Sequence, residues 1–590
     1  MNTEPRIILD SFSSEEYGNS YSFSGFAGII AAATPEEVLP ALEQIDQAVQ
    51  EGLHAAGFLS YEAASALGQN LPAHRPGNFP LLWFALYRHR HRTTSGEKGP
   101  DTPSAYETSD WSPSITERAY RTQVDKIKEY IAAGDVYQVN LTMQHSFRFM
   151  GDPFAYYRDI CRVQRAPFCA YLDMGNFQLL SASPELFFQL RHGTLTARPM
   201  KGTAPRGRWH AEDEGFREGL RKSRKDRAEN LMIVDLLRND MSKVSVTGSV
   251  RVPSMFDVEA LETVHQMTST VTSRFNQHLG MVELFRALFP CGSITGAPKK
   301  RAMEIIREME GQPRGLYTGC IGFISPKQEA VFSVAIRTII IDSTAGTGKL
   351  GIGSGITWES TAGDEYKECL LKTEFAHRFR PEFQLVETLL YEEDIGYFLL
   401  ERHMARLYRS AAYFGFTLRL GAVLDTLNLR AQSLRGKNKV RLLLSRNGTF
   451  SVRTELLPSP PEEPVALITL AEQPVDSRDP FLYHKTTNRE RYQLELKKHP
   501  QCADVIFRNE RGEVTEGAMH NIIVNLKGRM VTPPLAAGVL PGTFREELLA
   551  SQVVREKQVT VDDLRQAEDL FIVNSVRKWR KARLLPEENE

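Results

Sequence analysis

The strongest constraint on how this chain can fold is a break at Arg378-Phe379-Arg380-Pro381-Glu382, just after an amphipathic helical pattern ends. The chain has 590 residues, and at roughly 150 residues per domain it should hold two to four domains. The main boundary is placed at that break. A second interruption, the segment from His91 to Ser114, is polar, bears Pro and Gly and lacks periodicity, so it reads as a surface loop. The basic run Arg88-His89-Arg90-His91-Arg92 leads into it. Isolated from other basic clusters, that run reads as a solvated loop edge.

Periodicity gives a coarse picture of each half. Tyr120, Val124, Ile127 and Ile131 lie on one helical face, with Gly134 placed to end the helix. Val331 to Ile341 alternates and is β-branched, which predicts a strand. Beyond the break, Leu399 to Phe416 reads as a helix, and Val440–Ser445 and Ser451–Thr454 flank Asn447-Gly448, a hairpin signal. Both halves are expected to be α+β.

Charge and composition exclude several classes. Apolar residues make up 42% and charged residues 25%, as in globular proteins. Seventy-two basic side chains against 73 acidic ones leave a formal charge of -1. That balance supplies no pull toward nucleic acid or an anionic membrane. The six cysteines form no C-x-x-C pair, so neither a disulfide framework nor a zinc site is expected. The start MNTEPRIILD shows no signal peptide, and Phe26 to Ala33, among the longest apolar stretches, is far too short to span a bilayer. A soluble, cytoplasmic protein is expected.

The first half carries several groups suited to chemistry. Ser181-Ala182-Ser183-Pro184-Glu185 precedes Arg198-Pro199-Met200-Lys201-Gly202-Thr203, where a carboxyl and an amine near a Gly-Thr turn could act as acid and nucleophile. Asp226 and Glu229, and later Glu365 and Glu368, are acidic pairs at i, i+3, each on one helical face. Such carboxylates suit a hard cation that keeps positions open for water or an anionic substrate. Pro290-Cys291-Gly292-Ser293-Ile294-Thr295-Gly296-Ala297-Pro298-Lys299 runs into a helix expected from Lys300 to Glu310, a place for an anion. Gly351-Ile352-Gly353-Ser354-Gly355-Ile356 allows close backbone approach to a ligand. Taken singly, each of these also reads as ordinary surface or capping chemistry. The string Gly346-Thr347-Gly348-Lys349-Leu350 fails as a nucleotide loop, lacking the first Gly and the Ser or Thr after Lys.

In their order and spacing, AGDVYQVNLT, SPE, PMKGT, DRAEN, PCGSITGAPK, YTGCIGF, VAIRT and GIGSGI followed by EYKE resemble the chorismate-utilising enzymes, from about Thr116 to Phe379. The resemblance implies a fold like anthranilate synthase component I, an antiparallel β-sheet with helices, over 116–379, preceded by a shortened N-terminal region over 1–115. Ala56 to Ala64 is the clearest piece of that region. Within the family, anthranilate synthases resemble P-I-A-G-T where aminodeoxychorismate synthases carry P-I-K-G-T, and this chain reads PMKGT. The resemblance thus implies Lys201 as nucleophile on C2 of chorismate and Glu185 as the acid/base at the 4-hydroxyl. It also implies Mg²⁺ on Glu229 and Glu368, with Asp226 and Glu365 outside them. Gly202, Thr203, Ser293, Thr295, Tyr317, Arg337, Gly353 and Gly355 would receive the substrate. A depressed pKa is expected for Lys201, which must be neutral to attack. The family often has His before the segment that reads VHQMTST here, where Gln266 takes that position and His265 stands one residue earlier. None of the six cysteines lies in G-x-C-x-G-x-Q, so ammonia is expected from a separate glutamine amidotransferase subunit or from free ammonium.

The second half presents Arg406 in His403-Met404-Ala405-Arg406, Lys485 in HKTTNR, Glu516 in EVTEGAMHN, Gly538 to Arg545 at a helix start, and Ser575 after FIVN. Alone, Lys485 reads as a solvated lysine and Glu516 as a turn residue. Together, over about Phe383 to Leu585, they resemble the class IV, fold-type IV pyridoxal-phosphate enzymes. A fold-type IV domain over 380–590 follows, with Lys485 bonded to the cofactor, Glu516 at its pyridine nitrogen, and Arg406, Thr543 and Ser575 on its phosphate. Behind an aminodeoxychorismate synthase, the economical role is the lyase step to 4-aminobenzoate and pyruvate for folate. A transaminase, or an inactive docking or dimerisation module, stays open, because shared motifs fix the cofactor more firmly than the reaction. An anthranilate synthase stays open if Lys201 is incidental. A homodimer through the C-terminal half is expected.

Overall fold

The computed structural model describes residues 4–13, 19–68, 71–93, 105–377, 381–458 and 465–586. Residues 94–104 of the expected loop and Arg378–Arg380 of the expected break lie outside the described residues. Two compact units emerge: Met1–Arg206 with Arg217–Arg380, and Gly207–Phe216 with Pro381–Glu590. The excursion Gly207–Phe216 differs from the expected uninterrupted span 116–379. It is anchored in the second unit, where the Trp209 and Tyr483 ring centroids lie 5.2 Å apart.

The first unit is one continuous antiparallel sheet. From one end, Gln138–Gly151 pairs with Thr347–Ile356, followed by Thr338–Asp342, Phe177–Ser183, Phe168–Asp173 and Arg6–Asp10. Arg6–Asp10 also pairs with Ser20–Ala32. The sheet then continues through Leu82–Thr93, His54–Leu59, Cys320–Ser325, Glu329–Val334, Leu186–Arg191 and Thr194–Arg198 to Val264–Arg274. The strands of the first hundred residues therefore lie in the middle of the sheet. Separate apolar cores cover its two stretches, one holding Phe84, Phe188, Phe285 and Phe332, the other Tyr120, Tyr156, Leu350 and Ile352.

Local rules explain most elements, and the exceptions are informative. The helix Glu117–Ala132 buries Tyr120, Val124 and Ile127 on its predicted face, and Gly134 follows it at φ 82°. The stretch predicted as one strand, Val331 to Ile341, is two, Glu329–Val334 and Thr338–Asp342, because Arg337 sits at φ 49°. The basic run does not begin a loop: the strand Leu82–Thr93 carries it. Arg90 is no solvated edge, for it pairs with Glu329 at 2.8 Å and lies over the rings of Tyr21 and Phe323. The helix Arg224–Ser242 buries Val234 and Leu237 but leaves Leu231 exposed. Asn230 points inward instead, donating to the Lys201 carbonyl and accepting from Ser269.

One buried ion pair ties the interior of this unit together. Arg314 donates to both oxygens of Glu310, at 2.8 and 2.6 Å, and also to the carbonyls of Asn140 and Ile294. Glu310 in turn accepts from the Thr142 amide, and Glu62 accepts from the Arg314 and Gly315 amides. A strand, the loop before the helix Lys299–Met309 and the turn Tyr61–Ser65 thus share one charge network.

The second unit has two sheets. Gly396–Tyr397, Leu385–Glu392, Lys437–Leu444 and Phe450–Leu456 form a four-stranded sheet, its last two strands being the hairpin read from Asn447-Gly448. The helix Leu400–Phe414 packs on it through Met404, Leu407 and Ala411. Eight strands between Ala466 and Leu584 form the other sheet, with its core around Ile468, Ile506, Ile522 and Ile572. Among the described residues no helix is long and apolar enough to cross a membrane.

Removing the Arg314 side chain strands the Glu310 carboxylate in the core. Arg314→Met should cost about 3–5 kcal/mol, whereas Arg314→Met with Glu310→Met should recover much of that loss. The urea midpoint of the unfolding transition of the full chain, followed by fluorescence, checks both.

Candidate active sites

In the first unit, the site grows from two neighbouring strands. Thr347–Ile356 places Gly351, Gly353 and Gly355 on one face, and across the ladder lie Gln144, Thr142 and Asn140. A Cβ on Gly351 would meet the Tyr317 ring at 2.2 Å, and one on Gly353 would come within 3.2 Å of the Tyr317 hydroxyl. On Gly355 it would strike the Gln138 amide at 2.5 Å and lie 3.2 Å from Lys201 Nζ. The glycines therefore leave room for the very side chains that crowd over them.

Lys201 lies on Met200–Pro205, the strand that follows Thr194–Arg198. Its segment is braced from the neighbouring strand Val264–Arg274: Gln266 Nε2 donates to the Gly202 carbonyl at 2.9 Å, and the Thr203 hydroxyl donates to Gln266 Oε1 at 3.1 Å. Gly202 needs to be glycine, at φ 92° and with Asp226 2.8 Å from where a Cβ would stand. Burial pulls the Lys201 amine below its ordinary pKa against the upward pull of Glu229 and Glu185. Glu185 is buried at 3% exposure and accepts from the Ser293 hydroxyl at 2.6 Å. Burial pushes its carboxyl up to about 7, against the lowering influence of Ser293 and Lys201.

The remaining predicted residues of this unit divide. Thr295 is fully buried, its hydroxyl turned back to the Cys291 and Gly292 carbonyls. Arg337 meets the same region through its carbonyl, which accepts from the Ala182 amide, while its guanidinium donates to Gln164. Among the described residues it pairs with no carboxylate, and burial lowers it to about 10. Among the described residues no three acidic, His or Cys groups are placed to hold an ion, although the charges of Glu229 and Glu368 both act on Lys201. Glu368 is exposed and pairs with Lys372 at 2.7 Å. Glu229 is raised by burial and by the charges of Asp226 and Glu365, with Lys201 and Lys225 opposing. Ammonium groups thus stand among these carboxylates, and the crowding is what a bound cation would relieve.

In the second unit, Arg406, Lys485, Glu516, Thr543 and Ser575 all line one cavity of about 560 Å³. Lys485 lies in an irregular stretch, and its carbonyl accepts from the Val386 amide of the small sheet. Burial, with Arg489 and Arg406 nearby, lowers its amine to about 7. Glu516 is no turn residue but lies on the strand Val514–Gly517, at 3% exposure, and Asn521 donates to it at 2.9 Å. Burial raises Glu516 to about 8 in spite of Arg489 and Lys485. Thr543 opens the helix Thr543–Ala550 behind Gly542, where a Cβ would lie 1.9 Å from Asn521 Oδ1.

The side chains behind this cavity fix its cations. Arg406 donates from Nε and NH2 to the two oxygens of Glu387, at 2.9 and 2.7 Å. The same carboxylate lies 2.6 Å from His403 Nδ1, and His403 Nε2 lies 3.2 Å from the Thr543 hydroxyl. Glu387 stays ionised, near 2, because Arg406 and His403 outweigh its burial. The Ser575 hydroxyl donates to the Thr388 carbonyl at 3.3 Å. A guanidinium, two hydroxyls and a helix start suit a phosphate, a buried carboxyl suits a ring nitrogen, and a neutral amine suits an aldehyde. These donors fit pyridoxal phosphate. His520, left without a role by the sequence, pairs with Asp504 at 2.8 Å.

Sequence reading gave no role to Gln138, Gln266, Glu387, His403 or Arg489. Gln138 is buried, and neither of its amide atoms has a hydrogen-bond partner. The signal was present: Gln138, Asn140 and Thr142 alternate with Val139, Leu141 and Met143, so the strand buries a polar face as well as an apolar one.

Known proteins give the same division. The chorismate binding enzyme family matches residues 6–378, and the class IV amino-transferases match residues 384–585. Aminodeoxychorismate synthase component 1 of Klebsiella aerogenes is 45% identical over 263 residues, 44% of this chain and 57% of the relative. That of Bacillus subtilis is 39% identical over 279 residues, covering 47% and 58% respectively. The chain thus spans somewhat over half the length of these relatives. Anthranilate synthase component I from Streptococcus pneumoniae shares the fold at 24% identity and a TM-score of 0.52, over 62% of this chain and 93% of that one.

With a pKa of about 7, Lys485 is mostly neutral at pH 8, where an ordinary lysine is almost wholly protonated. In the cofactor-free protein it should outpace the solvated lysines in acetylation by acetic anhydride, with half-maximal rate near pH 7. Arg489→Met should move that midpoint upward. Peptide mass spectrometry across a pH series reads both.

Proposed function

This chain belongs to the chorismate binding enzymes and carries a class IV aminotransferase domain behind them; on that premise we propose that it makes 4-aminobenzoate in two steps. The first unit converts chorismate and ammonia to 4-amino-4-deoxychorismate and water. The second converts that product to 4-aminobenzoate and pyruvate, for folate biosynthesis. The observation that carries the reading is Lys201, half-buried and depressed in pKa, with Glu185 held near 7 beside it.

In the first step, neutral Lys201 Nζ attacks C2 of chorismate. Both ring double bonds shift and the 4-hydroxyl leaves as water, taking the proton that Glu185 carries at its carboxyl oxygen. Ammonia then adds at C4, the ring double bonds shift back and Lys201 leaves C2 as a neutral amine, while the ammonium formed at C4 passes one proton to Glu185 and restores its acid form. The Ser293 hydroxyl holds Glu185 in place for both transfers. Arg337, free of carboxylate partners among the described residues, would take a substrate carboxylate, and Gly202, Thr203, Thr295, Tyr317, Gly353 and Gly355 would shape the rest of the cleft. Mg²⁺ would neutralise the ring carboxylate, with Glu229 and Glu368 as its ligands and Asp226 and Glu365 outside them.

In the second step, pyridoxal phosphate supplies the electron sink that makes the ring C4 proton acidic. Lys485 would take that proton, Glu516 would hold the pyridine nitrogen protonated, and Arg406, Thr543 and Ser575 would bind the phosphate. Loss of the proton from C4 and of the enolpyruvyl group as pyruvate leaves an aromatic ring. Ammonia would come from a separate glutamine amidotransferase, a reading supported by the "component 1" in the relatives' name. A cytoplasmic homodimer joined through the C-terminal half completes the proposal.

Incubating the full chain with chorismate, ammonium, Mg²⁺ and pyridoxal phosphate should give 4-aminobenzoate and pyruvate in equal amounts on chromatography. Omitting pyridoxal phosphate should leave aminodeoxychorismate accumulating, and anthranilate as product would overturn the reading. Lys201→Ala should abolish aminodeoxychorismate formation, and Glu185→Gln should lower kcat by about 10²–10⁴-fold. Because Glu185 is raised to about 7, its acid form persists to neutrality. Its contribution to kcat/KM should therefore fall as pH rises through about 7 and be absent from the Glu185→Gln profile.

A further inference from the structure

The cavity that holds Lys485 and Glu516 carries far more positive charge than a cofactor phosphate explains. Arg406, Lys439, Arg441, Arg489, Arg577 and Arg580 line it together with Lys485, while Glu455 and Glu516 are its carboxylates. Two of these cations are matched: Arg406 by Glu387 and Lys439 by Glu455 at 2.6 Å. Among the described residues no carboxylate forms an ion pair with Arg441, Arg489, Arg577 or Arg580.

Their positions form an inner and an outer set. Arg489 is half-buried, four residues beyond Lys485 in sequence, and its guanidinium lies 4.4 Å from the Tyr492 ring centroid while donating to the Ala518 carbonyl. Its charge acts on both Lys485 and Glu516. Arg577 is steadied by the Pro458 carbonyl at 3.0 Å. Arg441 is exposed and pairs in register with Thr388, whose carbonyl accepts from Ser575. A planar guanidinium lacking a carboxylate favours a bidentate anion, and several around one cavity favour a ligand with more than one.

We propose that this cavity selects amines bearing two carboxylates, with Arg489 as the inner carboxylate contact and Arg441, Arg577 and Arg580 as the outer ones. The inference deepens the proposed second step, resting on the same site, and adds the residues that choose its substrate. Monocarboxylic amines would leave the outer arginines without a partner and bind less tightly. Specificity thus comes from the cavity wall, whereas Lys485 and Glu516 serve any amine that reaches them.

The test is a calorimetric titration of the full chain, with and without pyridoxal phosphate, using 3-(carboxymethoxy)benzoate as the dianion and 3-methoxybenzoate as the monoanion. The dianion should bind about tenfold or more tightly than the monoanion. Arg441→Met combined with Arg577→Met should bring the dianion close to the monoanion's affinity and leave the monoanion unchanged. Arg489→Met should weaken both. Equal affinities in the unaltered protein, or a dianion preference that survives the double substitution, would sink the inference. Uptake of pyridoxal phosphate, read from its visible absorbance, is judged separately. A chain that takes up no cofactor but keeps the dianion preference refutes the cofactor reading and leaves this one standing.

Discussion

Taking a lysine out of water is the cost around which each unit is arranged. An ammonium in solution is no nucleophile and no base, so a lysine that works near neutrality must lose much of its hydration. Lys201 and Lys485 are both lowered, first of all by burial, and each has a carboxyl nearby that burial raises. The two shifts run toward each other. With Lys485 brought down to about 7 and Glu516 up to about 8, each sits close to gaining or losing a proton near neutral pH. The same desolvation that weakens each charge makes both groups reactive.

Dryness of this kind needs rigid walls, and the units build them differently. In the first, backbone does the work: glycines at alternate positions let Tyr317 and Gln138 lie directly on a strand. The Arg314–Glu310 pair holds the segments around that strand in register. In the second, side chains dominate. One buried carboxylate, Glu387, orients Arg406 directly and reaches Thr543 through His403, so two separate elements answer to one group. A network satisfied at nearly every atom is stiff, and stiffness is what keeps a phosphate-sized site from collapsing when empty.

Much of this was legible from sequence wherever local rules decide. The helical face of Tyr120, Val124 and Ile127 and the Asn447-Gly448 hairpin follow from spacing alone. Arg406, Lys485, Glu516, Thr543 and Ser575, far apart in sequence, line one cavity. What stayed hidden depended on partners distant in the chain. Nothing near Arg90 announces Glu329, and nothing near Leu231 says that Asn230 will turn inward to meet Lys201 and Ser269. Arg337 broke a predicted strand through its own backbone conformation, which no alternation pattern reveals. The acidic pairs were visible as pairs, but the ammonium groups that lie among them were not.

Composition hides the electrostatics that matter most here. A chain of net charge -1 looks indifferent to anions, because its charges cancel when summed over the whole sequence. Inside a cavity the sum runs over a few side chains, and the half-buried ones are screened less than charges on the open surface. There the arginines outnumber the carboxylates and the balance turns strongly positive. A half-buried guanidinium without a counter-ion is stabilised by hydrogen bonds of its own or by an anion that visits it. Arg489 meets one such bond at the Ala518 carbonyl, and Arg577 one at that of Pro458. Each leaves most of its donors available. Local charge excess, more than the motif around Lys485, is therefore the feature that distinguishes one amine from another at this site.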